Sequence, residues 1–179
     1  MIVLKTERLI LRQLRPSDDV ALMGVFGDPE VMRFGDGIQT IEWVRDWIQN
    51  CISNYYEKKG YGPWGVVHTE DDRIIGYCGL FFFPDVNGKE EIEIGYRFNR
   101  TYWGKGYATE AAIGVRDYAF ESLNLSRLIA MIEPENIGSI KVAKKIGMAY
   151  EQEAWMEGYT HPDHVYAMQN PKLIVEKQT

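Results

Sequence analysis

Apolar residues along this chain recur at two different spacings, and the change from one to the other separates predicted strands from predicted helices. In the first predicted strand, residues 9–14, Leu9 and Leu11 lie between charged neighbours. Further strands are predicted at residues 64–68, 74–83 and 91–98. The loops that join these later strands are short enough for hairpins, so the pattern predicts an antiparallel meander.

Spacings of three and four residues predict four helices. Each begins at a residue that can cap a helix or at a glycine-rich turn, and they start at about residues 17, 40, 108 and 136. The second helix continues to about Lys59, where Gly60 ends it. Its apolar residues form a single stripe, which predicts that only one of its faces is buried.

The last part of the chain predicts three further strands. An apolar run at residues 127–132 lies between the third and fourth helices, and residues 149–156 and 164–168 predict two closing strands. Neither a repeat nor a linker interrupts this order, and a length of 179 residues is close to that of one domain. We therefore expect a single α/β domain over residues 1–179.

Charge and composition argue against several classes of protein. The chain has 20 Lys and Arg residues against 26 Asp and Glu residues, a net charge of −6. This balance argues against a nucleic-acid-binding protein and is compatible with a cationic substrate. The amino terminus lacks the apolar core of a signal peptide, and no window approaches the roughly 18 apolar residues of a membrane span. We expect a cytoplasmic protein without a membrane segment.

The cysteines and histidines do not predict a metal site. Cys51 and Cys78 are too few for a disulfide framework or a zinc site of four ligands, and each lies in an apolar run. The three histidines are scattered along the chain. We expect both thiols to be buried and no metal to be bound.

One segment, YWGKGYATEA at residues 102–111, carries a chemical signal. It follows a predicted strand and opens a predicted helix. Gly104 and Gly106 allow the backbone to approach an anion closely, and the helix start offers unpaired N–H groups. The segment matches neither the Walker pattern nor the dinucleotide-binding pattern. Taken alone, it is compatible with a phosphate site and with a glycine-rich turn that binds no ligand.

Four other segments, taken with this one in order, resemble the GNAT superfamily of acyl-CoA-dependent N-acetyltransferases, and in particular its RimJ/RimL-type branch. The segments are TERLILR at residues 6–12, DPEVM at 28–32, PENIGS at 134–139 and KIGM at 145–148. The resemblance implies a mixed, mostly antiparallel sheet flanked by helices. It also implies that this sheet splays open where the strands at residues 91–98 and 127–132 part.

The same resemblance implies that acetyl-CoA lies in this opening. Its pantetheine amides would pair with strand backbone groups like an added strand, and its pyrophosphate would lie on the N–H groups of the glycine-rich turn. A residue of the fourth helix would contact the pantetheine. The residues implied for these three contacts are Tyr96 and Phe98; Trp103, Gly104, Lys105, Gly106, Tyr107 and Ala108; and Asn136.

The chain departs from the family pattern at two positions. The superfamily often carries Gln or Arg where this chain has Thr101, and many members have a Tyr that protonates the leaving thiolate where this chain has Ala143. Ser139, one helical turn earlier, is the nearest substitute for that Tyr. Its hydroxyl is interpreted either as a donor to the thiolate or as a cap for a backbone N–H of the helix.

Glu93 is the candidate general base, acting directly or through a water molecule. It precedes the donor-binding end of its strand, and the alternation places it with Glu91 on the polar face of that strand. The alternative is a structural carboxylate without a role in catalysis. Glu91 lies one period of the alternation, two residues, farther from the donor-binding end of the strand. The reserve candidates are Glu153 and Glu157.

The predicted reaction is the transfer of acetyl from the thioester to a neutral amine, without a covalent enzyme intermediate in the family. An α-amine, with a pKa of about 7.7–8.0, asks less of the base than a side-chain amine of about 10.4, and the branch resemblance suggests a protein N-terminus as the acceptor. The alternatives are a small-molecule amine or polyamine acetyltransferase and a non-catalytic acyl-CoA-binding sensor. The sequence is compatible with a monomer and with a homodimer.

Overall fold

The sheet at the centre of the molecule has eight strands, and a computed structural model describes it within residues 1–176. The last three residues of the predicted domain, 177–179, lie outside the described residues. The strands are β1 (Ile2–Lys5), β2 (Leu9–Arg12), β3 (Pro63–His68), β4 (Arg73–Val86), β5 (Lys89–Phe98), β6 (Arg127–Ile132), β7 (Ala149–Ala154) and β8 (Asp163–Gln169). They lie in the order β1-β2-β3-β4-β5-β6-β8-β7.

Helices connect and flank these strands. They are α1 (Asp19–Phe26), α2 (Ile41–Asn50), α3 (Tyr107–Glu121), α4 (Ile137–Lys145) and α5 (Pro171–Glu176). Short 3-10 turns, Pro16–Asp18 and Arg100–Tyr102, precede α1 and α3, and α2 continues as a π-helical segment, Cys51–Tyr56. The sequence pattern predicts α1 to α4 but not α5. None of the helices within residues 1–176 has both the length and the apolar character of a membrane span.

The antiparallel meander predicted for β3, β4 and β5 is confirmed, and β2 extends it by pairing with β3. Two expectations at this edge of the sheet are wrong, because the sequence pattern misses β1 and places the end of β2 at residue 14 instead of Arg12. β1 is a four-residue strand with an irregular register against β2, too short for alternation to show. Leu14 leaves the ladder because its N–H donates to the hydroxyl of Tyr56 at 3.2 Å.

The long helix predicted after Thr40 is confirmed with an earlier end. The Thr40 hydroxyl accepts the N–H of Trp43 at 3.2 Å and caps α2. The π-helical segment then ends at Tyr56 instead of Lys59, and Gly60 adopts a φ of +74° where the chain turns towards β3.

Apolar side chains form a core on each face of the sheet. α3 and α4 cover one face, where Ile94, Val115 and Cys78 belong to one buried cluster. α1 and α2 cover the other face, where Ile48 and Cys51 are buried. The burial of both thiols is as expected. Because apolar burial is the dominant favourable term in folding, these two layers hold the central strands in place.

The sheet opens between β5 and β6, which are parallel and pair at one couple of residues, Glu93 with Ile129. Beyond this couple the two strands diverge, whereas β6 stays paired with β8 as far as Ile132. The mixed, mostly antiparallel sheet with a splayed centre confirms the expected fold. The opening leaves backbone groups of β5 and β6 without a partner strand in the middle of the sheet.

Candidate active site

The glycine-rich turn after β5 presents an uncapped helix start beside the opening. Gly104 and Gly106 have φ angles of +75° and +84°, a left-handed conformation that glycine adopts without strain. Gly106 is the N-cap residue of α3, and no side chain caps the helix there. A Cβ atom on Gly104 would meet no atom within 4 Å. The turn therefore combines free helix N–H groups with open space, which suits a phosphate group.

Side chains hold this turn from the side of the protein body. The indole N–H of Trp103 donates at 2.7 Å to the carbonyl of the last residue of β5. Arg8 donates to the carbonyl of Lys105 at 3.0 Å. The hydroxyl of Tyr107 lies 2.9 Å from Nε2 of the buried His68. These three side chains are occupied in fixing the turn, so its backbone and the exposed side chain of Lys105 are left for a ligand.

The structure brings the other residues predicted to bind the donor to the same opening. Tyr96 and Phe98 lie on β5 beyond its pair with β6, and Ala108 lies in the first turn of α3. Asn136 lies on the opposite side, where it precedes α4. Its Oδ1 accepts the N–H of Ser139 at 3.1 Å and caps the helix. The amide NH2 of Asn136 is therefore the end that can contact a ligand.

Ser139 and Tyr96 meet where α4 approaches β5. The Tyr96 hydroxyl donates to the backbone carbonyl of Ser139 at 3.0 Å. Burial is the largest influence on Tyr96 and raises the pKa of its phenol, which stays protonated at neutral pH. Because Asn136 caps α4, the interpretation of Ser139 as the cap is wrong. The sequence does not mark the Tyr96 hydroxyl, since only the tertiary structure brings β5 to α4.

Glu93 lies at the base of the opening, where its carboxylate bridges the two diverging strands. Its Oε1 accepts the N–H of Met131 on β6 at 2.9 Å. Burial raises the pKa of Glu93 to about 7; the bond from Met131 and the charge of Arg97 lower it, and the charge of Asp163 adds to the rise. A carboxyl group with this pKa exchanges its proton near neutral pH, as a general base requires.

The other predicted carboxylates have different surroundings. Glu91 is buried, and Nε of Arg127 donates to both of its oxygens at 3.0 and 3.1 Å. Glu153 is exposed on β7, 4.0 Å from His164. Glu157 is exposed in the loop that follows β7. Glu91 and Glu93 both join β5 to β6, but the partner of Glu91 is the charged side chain of Arg127, whereas Glu93 accepts a backbone N–H.

Two loops meet on the same side of the opening as Glu93, and the sequence does not mark them. Arg97 of β5 donates to the carbonyl of Phe34 in the α1–α2 loop at 2.9 Å. In the same loop, Asp36 accepts the hydroxyl of Tyr159 from the β7–β8 loop at 3.0 Å. Burial is the largest cause of the raised pKa of the Tyr159 phenol; Asp36 and the charge of Asp163 raise this pKa further, and the charge of Arg97 lowers it. No local pattern predicts these contacts, because their partners are 63 and 123 residues apart in the chain.

The β8 side of the opening carries further carboxylates. Burial raises the pKa of Asp163, the first residue of β8; the neighbouring Glu133 raises it further, and His161 lowers it. Nε2 of His161 lies 3.6 Å from Glu133. The charge of Asp163 also raises the pKa of Glu93. This side of the opening therefore has a negative character that suits a cationic group.

Known proteins are similar to this chain over most of its length. The family model of the acetyltransferase (GNAT) domain matches residues 8–149. The chain is 35% identical over 161 residues to p20 of Bacillus licheniformis, which is named as an N-acetyltransferase, with 89% of this chain and 88% of the relative covered. It is 30% identical over 169 residues to the FsC-acetyl coenzyme A-N(2)-transacetylase of Aspergillus fumigatus, with 89% of this chain and 69% of the relative covered.

A solved structure shows the same fold. The crystal structure of a GNAT-family acetyltransferase from Bacillus anthracis is similar to this chain with a TM-score of 0.79 and 30% sequence identity. The comparison covers 95% of this chain and 99% of that chain. The likeness therefore concerns the whole fold and is not confined to the glycine-rich turn.

Proposed function

Because this chain belongs to the GNAT family of acetyltransferases, we propose that it transfers the acetyl group of acetyl-CoA to the α-amine at the N-terminus of a protein. The observation that carries the proposal is the opening between β5 and β6. The uncapped turn before α3 lies beside it, and the carboxylate of Glu93 lies at its base. The turn suits a donor that carries phosphate, and the carboxylate suits removal of a proton from an amine.

The proposed donor site uses the backbone more than side chains. The free edge of β5 at Tyr96 and Phe98 offers backbone groups to the pantetheine amides, in the manner of an added strand. In the turn from Trp103 to Ala108, the N–H groups that follow Trp103 are offered to the pyrophosphate, since the Trp103 N–H already donates to the carbonyl of Arg100. The amide of Asn136 is a third contact. The name of the Aspergillus fumigatus relative includes acetyl coenzyme A, which supports the same donor for this chain.

In the proposed reaction, the neutral amine attacks the carbonyl carbon of the thioester. A carbon–nitrogen bond forms and the carbon–sulfur bond breaks. The proton that the amine loses passes to Glu93, directly or through a water molecule. The departing thiolate takes up a proton from solvent, and the hydroxyl of Ser139 is the candidate that hydrogen-bonds to its sulfur, because the Tyr96 hydroxyl already donates to the Ser139 carbonyl. Holding both substrates in one opening supplies the orientation that the attack requires.

An α-amine acceptor suits a base with a pKa of about 7. At pH 7, about 10–15% of an α-amine is already neutral, compared with roughly 0.04% of a lysine side chain. Glu93 then has to accept only the proton that is released during the attack. The RimJ/RimL-type motifs at residues 6–12 and 102–111 support the same choice of acceptor.

A polyamine or another small cationic amine is the second candidate acceptor. The carboxyl groups of Asp163 and Glu133 lie on the side of Glu93, and the chain has a net charge of −6. Negative charge at a cleft raises the local concentration of a cationic substrate. This observation favours a polyamine without excluding a protonated peptide terminus.

The test is a panel of acceptors in which the release of free CoA from acetyl-CoA is measured. Peptides with a free N-terminus, polyamines and aminoglycosides are compared side by side, and the same peptides with a blocked N-terminus serve as controls. We expect the highest kcat/KM with the free peptides and no release with the blocked ones. A higher kcat/KM with polyamines would support the second candidate. CoA binding without release from any acceptor would overturn the enzymatic proposal in favour of an acyl-CoA sensor.

A further inference from the structure

The carboxylate of Glu110, in the first turn of α3, is held by the connection between β1 and β2. Its Oε1 accepts the Thr6 hydroxyl at 2.6 Å and the backbone N–H of Arg8 at 2.8 Å. Its Oε2 accepts Nε and Nη2 of Arg8 at 2.7 and 2.6 Å. Burial by itself would raise the pKa of Glu110, but the hydrogen bonds from Thr6 and Arg8 outweigh it and hold the pKa below its ordinary value. Glu110 is therefore ionised at neutral pH.

Arg8 extends this contact to the glycine-rich turn. Its Nη1 donates to the carbonyl oxygen of Lys105 at 3.0 Å, and its guanidinium lies over the ring of Tyr107, 4.5 Å from the centroid. The planar fork of an arginine can bind a carboxylate on one edge and a carbonyl on the other. A lysine has a single ammonium group and cannot make both contacts with this geometry.

The direction of the Lys105 carbonyl decides where the next N–H points. This C=O group and the N–H of Gly106 belong to one trans peptide unit, so they point in opposite directions. Glycines precede and follow Lys105, and their backbone angles rotate more freely than those of other residues. Without the hydrogen bond from Arg8, this peptide unit can adopt several orientations. With that hydrogen bond, the Gly106 N–H points away from Arg8.

We propose that Glu110 and Arg8 are positioning residues for the acetyl donor. Glu110 holds the guanidinium of Arg8, and Arg8 orients the peptide unit between Lys105 and Gly106 so that its N–H meets the pyrophosphate. This inference rests on the proposed function, because it assumes that the donor carries a pyrophosphate at this turn. A turn that is ordered before binding loses less conformational entropy when the donor binds.

The experiment compares two acetyl donors, acetyl-CoA and S-acetylpantetheine. Both carry the same thioester, but S-acetylpantetheine lacks the pyrophosphate and the nucleotide. Glu110→Gln keeps the size of the side chain and removes the charge that holds Arg8. We expect kcat/KM for acetyl-CoA to fall about tenfold, through KM, with kcat/KM for S-acetylpantetheine unchanged. The Kd of CoA, measured by calorimetry, is expected to rise by the same factor.

The matched control is Glu121→Gln at the far end of the same helix. It removes an exposed carboxylate that lies 3.7 Å from Lys172, and we expect the ratio of the two kcat/KM values to stay at its wild-type level. Arg8→Lys keeps the positive charge but loses the fork, so it is expected to reproduce the effect of Glu110→Gln. If thermal scans show that Glu110→Gln does not fold, Arg8→Lys replaces it as the test variant.

Three outcomes overturn the inference. These are an equal loss of kcat/KM with both donors, unchanged kcat/KM values with both donors in both variants, and loss of the fold in both variants. The first and third assign the pair a purely structural role, and the second assigns it none. A wild-type protein that neither binds CoA nor uses either donor contradicts the proposed function instead. The two failures are therefore distinguishable.

Discussion

The proposed donor end of the opening between β5 and β6, at the turn before α3, and its proposed acceptor end, around Glu93, are built in different ways. At the donor end, the groups offered to a ligand are backbone N–H groups of a turn whose glycines have positive φ, and side chains such as Trp103 hold that turn. At the acceptor end, the groups are the side chains of Glu93 and Asp163. The donor end therefore depends on backbone shape, and the acceptor end depends on the chemistry of single side chains.

The largest effect is expected at the acceptor end, from Glu93→Gln. If Glu93 accepts the proton of the amine, its replacement lowers kcat by roughly 10²–10⁴-fold at neutral pH, the usual contribution of a positioned general base. The amide keeps the size of the side chain and an oxygen for the N–H of Met131, so the fold is retained. Steady-state rates at several pH values check this prediction.

The pH dependence of that loss separates a base from a positioning group. In the wild type, kcat/KM is expected to rise with pH with a midpoint at about 7, because Glu93 must be ionised to accept a proton. The loss in Glu93→Gln is expected to grow as pH rises through about 7, because only the wild type gains an ionised base there, while the neutral fraction of the amine rises equally for both proteins. A loss that is constant with pH would assign Glu93 a positioning role, and an unchanged rate would leave water or another carboxylate as the acceptor of the proton.

Stability provides an independent check on the same group. The pKa of Glu93 is raised from 4.5 to about 7 in the folded protein, so between these values the folded state binds more protons than the unfolded state. The contribution of Glu93 to the free energy of unfolding therefore falls as pH rises through this window. We expect the Tm of Glu93→Gln to gain on that of the wild type between pH 4.5 and pH 8 in calorimetric scans. The opposite trend would contradict the raised pKa.

The next effect in size is expected at the donor end, from Gly104→Val. CoA is expected to raise the Tm of the wild type, because a ligand that binds only the native state stabilises it. Valine at Gly104 strains a backbone with a φ of +75° and adds bulk to the open side of the turn, so the shift with CoA is expected to disappear. Thermal scans with and without CoA measure this.

Gly60→Val is the matched control for that variant. Gly60 has a φ of +74°, and a Cβ there would also meet no atom within 4 Å. Both variants are expected to lose roughly 1–2 kcal/mol of stability from the left-handed backbone, but only Gly104→Val is expected to lose the CoA shift. A normal shift in Gly104→Val would place the phosphate site elsewhere.

A smaller effect is expected where the thiolate departs. Ser139→Ala is expected to lower kcat about tenfold if its hydroxyl hydrogen-bonds to the sulfur, with an unchanged Kd for CoA and an unchanged Tm. Asn136→Ala is the contrasting variant, because it removes the cap of α4 and is expected to cost about 1 kcal/mol of stability. A normal kcat in Ser139→Ala would show that this hydroxyl does not hydrogen-bond to the departing sulfur.

The smallest effect is expected from Tyr159→Phe, which removes the hydrogen bond to Asp36 between the two loops at the acceptor end. The KM of the acceptor is expected to rise about fivefold, and the KM of acetyl-CoA is expected to stay unchanged. Tyr150→Phe, at an exposed position on β7, is the control. An equal rise of both KM values would show that the loops shape the whole opening. It would contradict the assignment of these loops to the acceptor end alone.

Much of the fold could be predicted because its signals are local. The alternation in β5, the Thr40 cap of α2 and the glycine-rich turn before α3 each involve residues that are close in the chain. The errors concern elements whose signal is weak. β1 is a four-residue edge strand, and Leu14 leaves β2 for a partner 42 residues away.

By itself, the sequence determined that this chain forms a meander with helices on it and a turn suited to phosphate, because hydrophobic spacing, helix capping and glycine φ angles act over a few residues. It also singled out Glu93 as the candidate base, but not the pKa of about 7 that suits this proposed role. That value comes from the burial of the carboxyl in the folded protein, which outweighs the lowering by the N–H of Met131, 38 residues away. Only the tertiary structure decided the acceptor end and the Arg8–Glu110 contact, because side chains distant in sequence acquire their surroundings when the strands and loops pack together.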